Sequence, residues 1–187
     1  MARDEKTYSV KQGWVSLALV LGVSFLFGLV VLPRLEDRTP SSPLVGELAP
    51  DFALPVTHGG ERGNRIRLSN LSGRVVVLDF WASWCRPCLD QIPALSELAA
   101  VTEGDALSIV GVNTGDAEDE ADKVLERLSP KYPSLRDAEG TVAAAYGVES
   151  LPTLVVVAPS GNVTAVRQGV HSVQELRELV RAAEAEP

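Results

Sequence analysis

Apolar and polar positions follow two distinct rhythms along the chain. Residues 14–32, Trp-Val-Ser-Leu-Ala-Leu-Val-Leu-Gly-Val-Ser-Phe-Leu-Phe-Gly-Leu-Val-Val-Leu, contain no charged residue and no polar face. At about 1.5 Å per residue this helix just spans a hydrocarbon core of roughly 30 Å. Pro33-Arg34 ends it, and Trp14 stands where an interfacial aromatic belongs. A cleaved signal peptide would have a shorter apolar centre and small residues at a cleavage site, and Val31-Leu32-Pro33-Arg34 has no such pattern. The segment is therefore expected to be an uncleaved single-pass anchor. Residues 1–13 are polar, and with three Lys or Arg before the span against Arg34 and Arg38 after it they are expected to be a cytoplasmic segment. Residues 33–43, with three prolines and small polar residues, are an extended linker.

From residue 44 the pattern becomes that of a globular domain, 44–187. Residues 45–54 read as extended and 57–64, rich in Gly and Asn, as a turn. Ile66 and Leu68 alternate with polar neighbours, which predicts an edge strand over 65–68, followed by a turn at 70–73. Val75 to Phe80 is an apolar, β-branched run suited to a strand covered on both faces, with Asp79 set into it. Residues 85–100 have helical spacing, with Pro87 tolerated in the first turn and Pro93 expected to kink the helix. Further on come a strand at 107–112, an acidic loop at 113–120, a helix at 121–128 and a short strand around 132–135. A small-residue helix at 140–146, a hairpin of strands 154–157 and 163–168, and a helix at 172–185 capped by Ser172 complete the order. Strands alternating with helices make this an α/β domain with a central mixed sheet.

Composition narrows the function. A net charge of −8 and few aromatics leave no surface for nucleic acid. Cys85 and Cys88 are the only cysteines, so there is no disulfide framework and the core must carry the fold. A C-x-x-C pair could be half of a zinc site, but zinc needs two further ligands, and His58 and His171 are isolated in sequence. Neither metal nor cofactor is expected.

The chemistry centres on Asp79-Phe80-Trp81-Ala82-Ser83-Trp84-Cys85-Arg86-Pro87-Cys88. A two-residue spacing lets both sulfurs meet across the first helical turn. It also sets the Cys85 sulfur near the unpaired N–H groups of the helix start, which favour thiolate. A poised thiolate with a second thiol in reach is what disulfide exchange requires. A carboxyl buried at Asp79 would have a raised pKa. Arg86 would favour the Cys85 thiolate and Glu149 oppose it, and Trp84 could offer an apolar landing surface for substrate. Trp81 reads as core.

At these residues the chain resembles the thioredoxin superfamily. From Gly46 onward its order of a β-hairpin, βαβ, an inserted helix–strand–helix and ββα resembles the membrane-anchored ResA/TlpA/CcmG group. Tyr146-Gly147-Val148-Glu149-Ser150-Leu151-Pro152-Thr153 carries the resemblance further, whereas the opening 46–54 is shared with peroxiredoxins. The resemblance implies a thioredoxin fold with an N-terminal β-hairpin and a central insertion. It implies a Cys85–Cys88 redox disulfide with Cys85 as nucleophile and Cys88 resolving. It gives Asp79 the role of general base. Pro152 would be cis and face the cysteines, and the Leu151 backbone would pair with an extended substrate segment. The group often has a glutamate three residues after the second cysteine; here Gln91 stands there and cannot titrate.

The function expected on this basis is an extracytoplasmic (periplasmic), membrane-tethered protein-disulfide reductase. Its substrates would be protein disulfides, with apocytochrome c or a copper-site protein as examples, and its electrons would come from a membrane donor of DsbD/CcdA type. One alternative is a thiol peroxidase, although the peroxiredoxin threonine and proline positions hold Ala82 and Leu78. Another is a Cu(I)-binding assembly factor using Cys85, Cys88 and His171.

Overall fold

A computed structural model of the chain describes residues 19–22, 24–25, 42–102 and 106–186. The chain divides into two compact units, Met1–Pro40 and Ser41–Pro187. In the first, the described residues are helical, and Leu19, Val20, Leu21 and Phe25 leave 61–72% of their surface uncovered. The rest of the anchor expected at 14–32 lies outside the described residues, as do segment 1–13 and most of the linker. Among the described residues no helix is long and apolar enough to cross a membrane.

The second unit is built on strand β3, Val75–Trp81, every residue of which is 2% exposed or less. Its neighbours in chain order are β1 (Ala53–His58), β2 (Arg65–Arg67), a 3-10 turn (Leu68–Leu71), helix α1 (Arg86–Val101), β4 (Leu107–Thr114) and α2 (Glu118–Leu128). Then follow β5 (Ser134–Asp137), α3 (Thr141–Ala145), β6 (Thr153–Val157), β7 (Val163–Gln168) and α4 (Val173–Glu184). Among the described residues the sheet runs β2-β1-β5-β4-β3-β6-β7. The three middle strands β5, β4 and β3 are parallel, and antiparallel pairs flank them on both sides.

Both faces of β3 are covered, which is why its sequence is continuously apolar rather than alternating. Val76, Leu78 and Phe80 join a core with Phe52, Tyr146 and the α3 residues Val142 and Ala143. Val75 and Val77 join the opposite core, with Leu95 and Leu98 of α1 and Leu176, Val180 and Ala183 of α4. Each side chain fully removed from water here contributes on the order of 1.5–3 kcal/mol. Trp81 packs with Cys85, Cys88 and Ile92, and with Ala121, Val124 and Leu125 of α2, at the strand's exit.

Several boundaries differ from the sequence pattern. The first strand extends through His58, into residues that read as turn, because Val56 and His58 pair with Leu135 and Ser134 of β5. Strand β4 continues to Thr114, since Asn113 and Thr114 pair with Arg136 and Asp137. The expected turn at 70–73 is in part the 3-10 turn ending at Leu71. Helix α1 runs on through Pro93 to Val101. At α4, Ser172 accepts from the Glu175 N–H while the Glu175 carboxylate accepts from the Ser172 N–H, a reciprocal cap.

Candidate active site

Strand β3 delivers the chain to residues 82–84 and then to the start of α1, where Cys85 is the N-cap. Cys85 and Cys88 are disulfide-bonded, with Cα atoms 5.3 Å apart. The Cys85 Sγ accepts a hydrogen bond from the Cys88 N–H at 3.2 Å, so the sulfur caps one of the helix's orphan donors. Pro87 falls in the first turn, where its missing N–H leaves nothing unpaired. Both cysteines are buried, Cys85 at 5% exposed and Cys88 at 0%, so the little surface the pair keeps belongs to Cys85.

The approach to the pair is clamped by a residue the sequence did not single out. Asp116, in the loop after β4, accepts the Ser83 N–H at 2.5 Å, the Ser83 hydroxyl at 2.8 Å and the Asn113 side-chain amide at 2.9 Å. Next to it the Trp84 indole N–H donates to the Gly115 carbonyl at 3.3 Å. Trp84 nevertheless keeps 68% of its surface in solvent, an uncovered aromatic beside the disulfide. Trp81, by contrast, is core, its indole N–H reaching Ser134 Oγ at 3.3 Å.

Asp79 is wholly buried. The two-residue period of β3 puts it between Val77 and Trp81, on the face covered by α1. Desolvation pushes its pKa up to about 7, against a downward pull from the Tyr132 hydroxyl, which donates to Oδ2 at 3.4 Å. Oδ1 is buried without a partner. The same burial, with the Asp79 charge beside it, holds the Tyr132 hydroxyl well above its usual range. Room for Tyr132 comes from Gly111, paired with Asp79 across β3 and β4. A Cβ on Gly111 would lie 3.2 Å from the Trp81 Nε1 and 3.4 Å from the Tyr132 ring. Neither Tyr132 nor Gly111 carried a local signal of this role.

The remaining expected residues are distributed around the pair. The Leu151–Pro152 peptide is cis, Pro152 is buried, and Leu151 packs against the cluster that holds both cysteines. Arg86, expected to act on Cys85, lies 3.6 Å from the Asp90 carboxylate one helical turn on, with 83% of its side chain exposed. Glu149 is exposed. Gln91 is fully buried and hydrogen-bonds the backbone of His171. Among the described residues no three His, Cys, Asp or Glu side chains gather to hold a metal ion. The Gln91 contact holds the backbone of His171 against α1, the helix that begins at Cys85.

A family model described as the AhpC/TSA family matches residues 45–166. The chain is 32% identical over 134 residues to the thiol-disulfide oxidoreductase ResA of Geobacillus thermodenitrificans, covering 72% of this chain and 75% of that one. It is 33% identical over 124 residues to ResA of Bacillus subtilis, with 66% and 67% covered. Among solved structures it is similar to a secreted Mycobacterium tuberculosis disulfide oxidoreductase homologous to E. coli DsbE. That likeness has a TM-score of 0.60 at 27% identity, over 70% of this chain and 95% of the other. The fold is thioredoxin-like, as the resemblance implied.

Proposed function

The chain is a thiol–disulfide oxidoreductase of the AhpC/TSA family, and we propose that Cys85 and Cys88 reduce disulfides of exported proteins from a membrane tether. The observation that carries this reading is the position of Cys85 Sγ as the acceptor cap of α1. In the reduced pair the same N–H groups stabilise a thiolate there. That thiolate attacks one sulfur of a client disulfide, forms a Cys85–client mixed disulfide and expels the client's other sulfur as thiolate. Cys88 then loses its proton to Asp79 and attacks Cys85 Sγ. The client's remaining sulfur leaves as thiolate, and the Cys85–Cys88 disulfide closes. Two electrons have passed from the pair to the client. A carboxyl poised near 7 suits the proton step at neutral pH.

The Leu151 backbone beside the cysteine cluster is the edge on which an extended client strand would lie. The uncharged run 14–32 and the uncovered apolar side chains at Leu19, Val20, Leu21 and Phe25 support an anchor. A tethered domain outside the cytoplasm must be recharged across the membrane, which fits a DsbD/CcdA-type donor. Apocytochrome c and copper-site cysteines are the client types this reading favours.

A resolving-cysteine trap tests the proposal. Cys88→Ala in cells should accumulate clients disulfide-linked to Cys85, on the extracytoplasmic side by protease accessibility. No linked client, or a domain protected from external protease, would refute it. Peroxide turnover by the purified protein would favour the peroxidase alternative instead; Ala82 and Leu78, both fully buried, speak against it.

A further inference from the structure

The disulfide stands at one end of the sheet, and the described chain enters the domain at the other. Strand β3 climbs from Val75 to Trp81, a rise of about 20 Å, before the chain reaches Cys85. At the foot of β3, Val75 pairs with Leu107, the first residue of β4, and Val76 with Val157, the last of β6. Val157 pairs in turn with Val163 of β7, whose carbonyl accepts the Gly46 N–H at 2.8 Å. The segment that starts at Ser42 is thus fixed to the foot of the sheet. This foot carries apolar surface that the core does not use. Leu48 keeps 71% of its surface in solvent, and Val45 and Val101, the last residue of α1, are exposed as well. Two clefts open here, of about 190 Å³ and about 250 Å³, and Leu71 lines both. Charges at this end are of both signs. Asp51 is held by Arg67 at 2.9 Å, and Arg65, Arg74 and Lys131 stand against Glu47, Glu97 and Glu184. The foot therefore offers an apolar contact and not an ionic one.

We propose that the foot of the sheet docks on a lipid bilayer, with Val45, Leu48 and Val101 entering the headgroup boundary. The proposal rests on the membrane-tethered reading above. Residues 33–41 separate the uncharged run from Ser42 and reach at most about 30 Å when extended. A surface held that close to lipid meets it at an effective concentration on the order of millimolar. Under that condition a few apolar side chains suffice, whereas a free domain with the same surface would stay in solution. Docking by the foot turns the disulfide away from the bilayer by at least the rise of β3, about 20 Å, toward clients in the aqueous compartment.

A site-specific fluorophore tests it. In the oxidised full chain Cys85 and Cys88 are bonded to each other, so the new thiol of Leu48→Cys alone takes an NBD label. The labelled chain is reconstituted into phosphatidylcholine–phosphatidylglycerol vesicles that carry a nitroxide near the lipid headgroup. Emission from position 48 should shift to the blue and be quenched several times more than emission from the same label at Gln174→Cys. Gln174 is exposed at the start of α4, toward the disulfide end. Adding Val101→Asp to the Leu48→Cys chain should remove most of that quenching, which mere nearness to a tether would not. Equal quenching at the two positions, or quenching unmoved by Val101→Asp, overturns the docking and leaves the tether standing. A blue shift that appears in detergent and grows with protein concentration assigns the foot to a second copy and overturns it too. A chain that washes off the vesicles at alkaline pH overturns both readings.

Discussion

The side-chain amide of Gln91 pairs with the backbone of His171 at both ends, donating to its carbonyl at 3.2 Å and accepting its N–H at 2.6 Å. This peptide-like rung joins α1, one turn beyond Cys88, to the segment that enters α4. An ionised glutamate could accept at this place but could not donate, and its charge would be buried. Gln91→Glu is therefore expected to destabilise the domain by about 1–3 kcal/mol at pH 8. Near pH 5 the loss should shrink, because a protonated carboxyl can donate to the His171 carbonyl. Burial raises the folded-state pKa of such an acid, so stability present below its unfolded value is lost as pH rises through the folded one. Thermal melts at the two pH values check this, and a pH-independent loss would contradict it.

Asp79 provides the second pH test. Its carboxyl is raised from 3.8 to about 7 by burial, so folding takes up a proton between those values and stability declines as pH climbs through them. Asp79→Asn should raise Tm by several degrees at pH 8 and change it little at pH 4. The same variant should slow the release of a Cys85 mixed disulfide while leaving its formation mostly intact. Equal slowing of both steps, seen in single-turnover kinetics, would remove Asp79 from the proton transfer.

Tyr132→Phe removes the hydroxyl that donates to Asp79 and leaves both carboxylate oxygens without a partner. The midpoint of the pH profile for resolution should then move above the wild-type value near 7. A profile that stays in place would mean that the hydroxyl does not act on the carboxyl.

Asp116→Ala should free Ser83 and so loosen the residue pair before Cys85. The expected stability loss is about 0.5–1.5 kcal/mol, for hydrogen bonds lost at half-buried donors. Attack by Cys85 should slow more than closure by Cys88, because the loosened segment lies ahead of the first cysteine only. Asp116→Asn, which keeps an acceptor for Ser83, should recover much of both.

Gly111→Ala should cost about 1–3 kcal/mol of overpacking, since its Cβ would press on Trp81, Ser134 and Tyr132. Chemical denaturation measures it, and a neutral result would mean that the ring of Tyr132 yields easily.

What was legible in the sequence was what is encoded locally. The apolar run of β3 and the spacing of α1 depend on neighbours a few residues apart. So do the cap at Ser172 and the pairing of two cysteines three residues apart. What was missed depends on partners far along the chain. Asp116 reaches Ser83 across 33 residues, Tyr132 reaches Asp79 across 53, and Gln91 reaches His171 across 80. The misplaced end of β1 has the same origin, because its strand character comes from pairing with β5 rather than from its own mixed sequence. Gln91 was noted for what it lacks, a titratable proton, whereas its packing turns on the donor that a glutamate would not have.

The contrast between Trp84, 68% exposed, and Trp81, 1% exposed, gives the domain a built-in optical gauge. Emission from Trp84 should be red-shifted, accessible to iodide and dimmed by the adjoining disulfide, while Trp81 stays dark to external quenchers. Brightening upon reduction would then report the redox state without a label, and a blue shift upon peptide docking would report occupancy in the same trace.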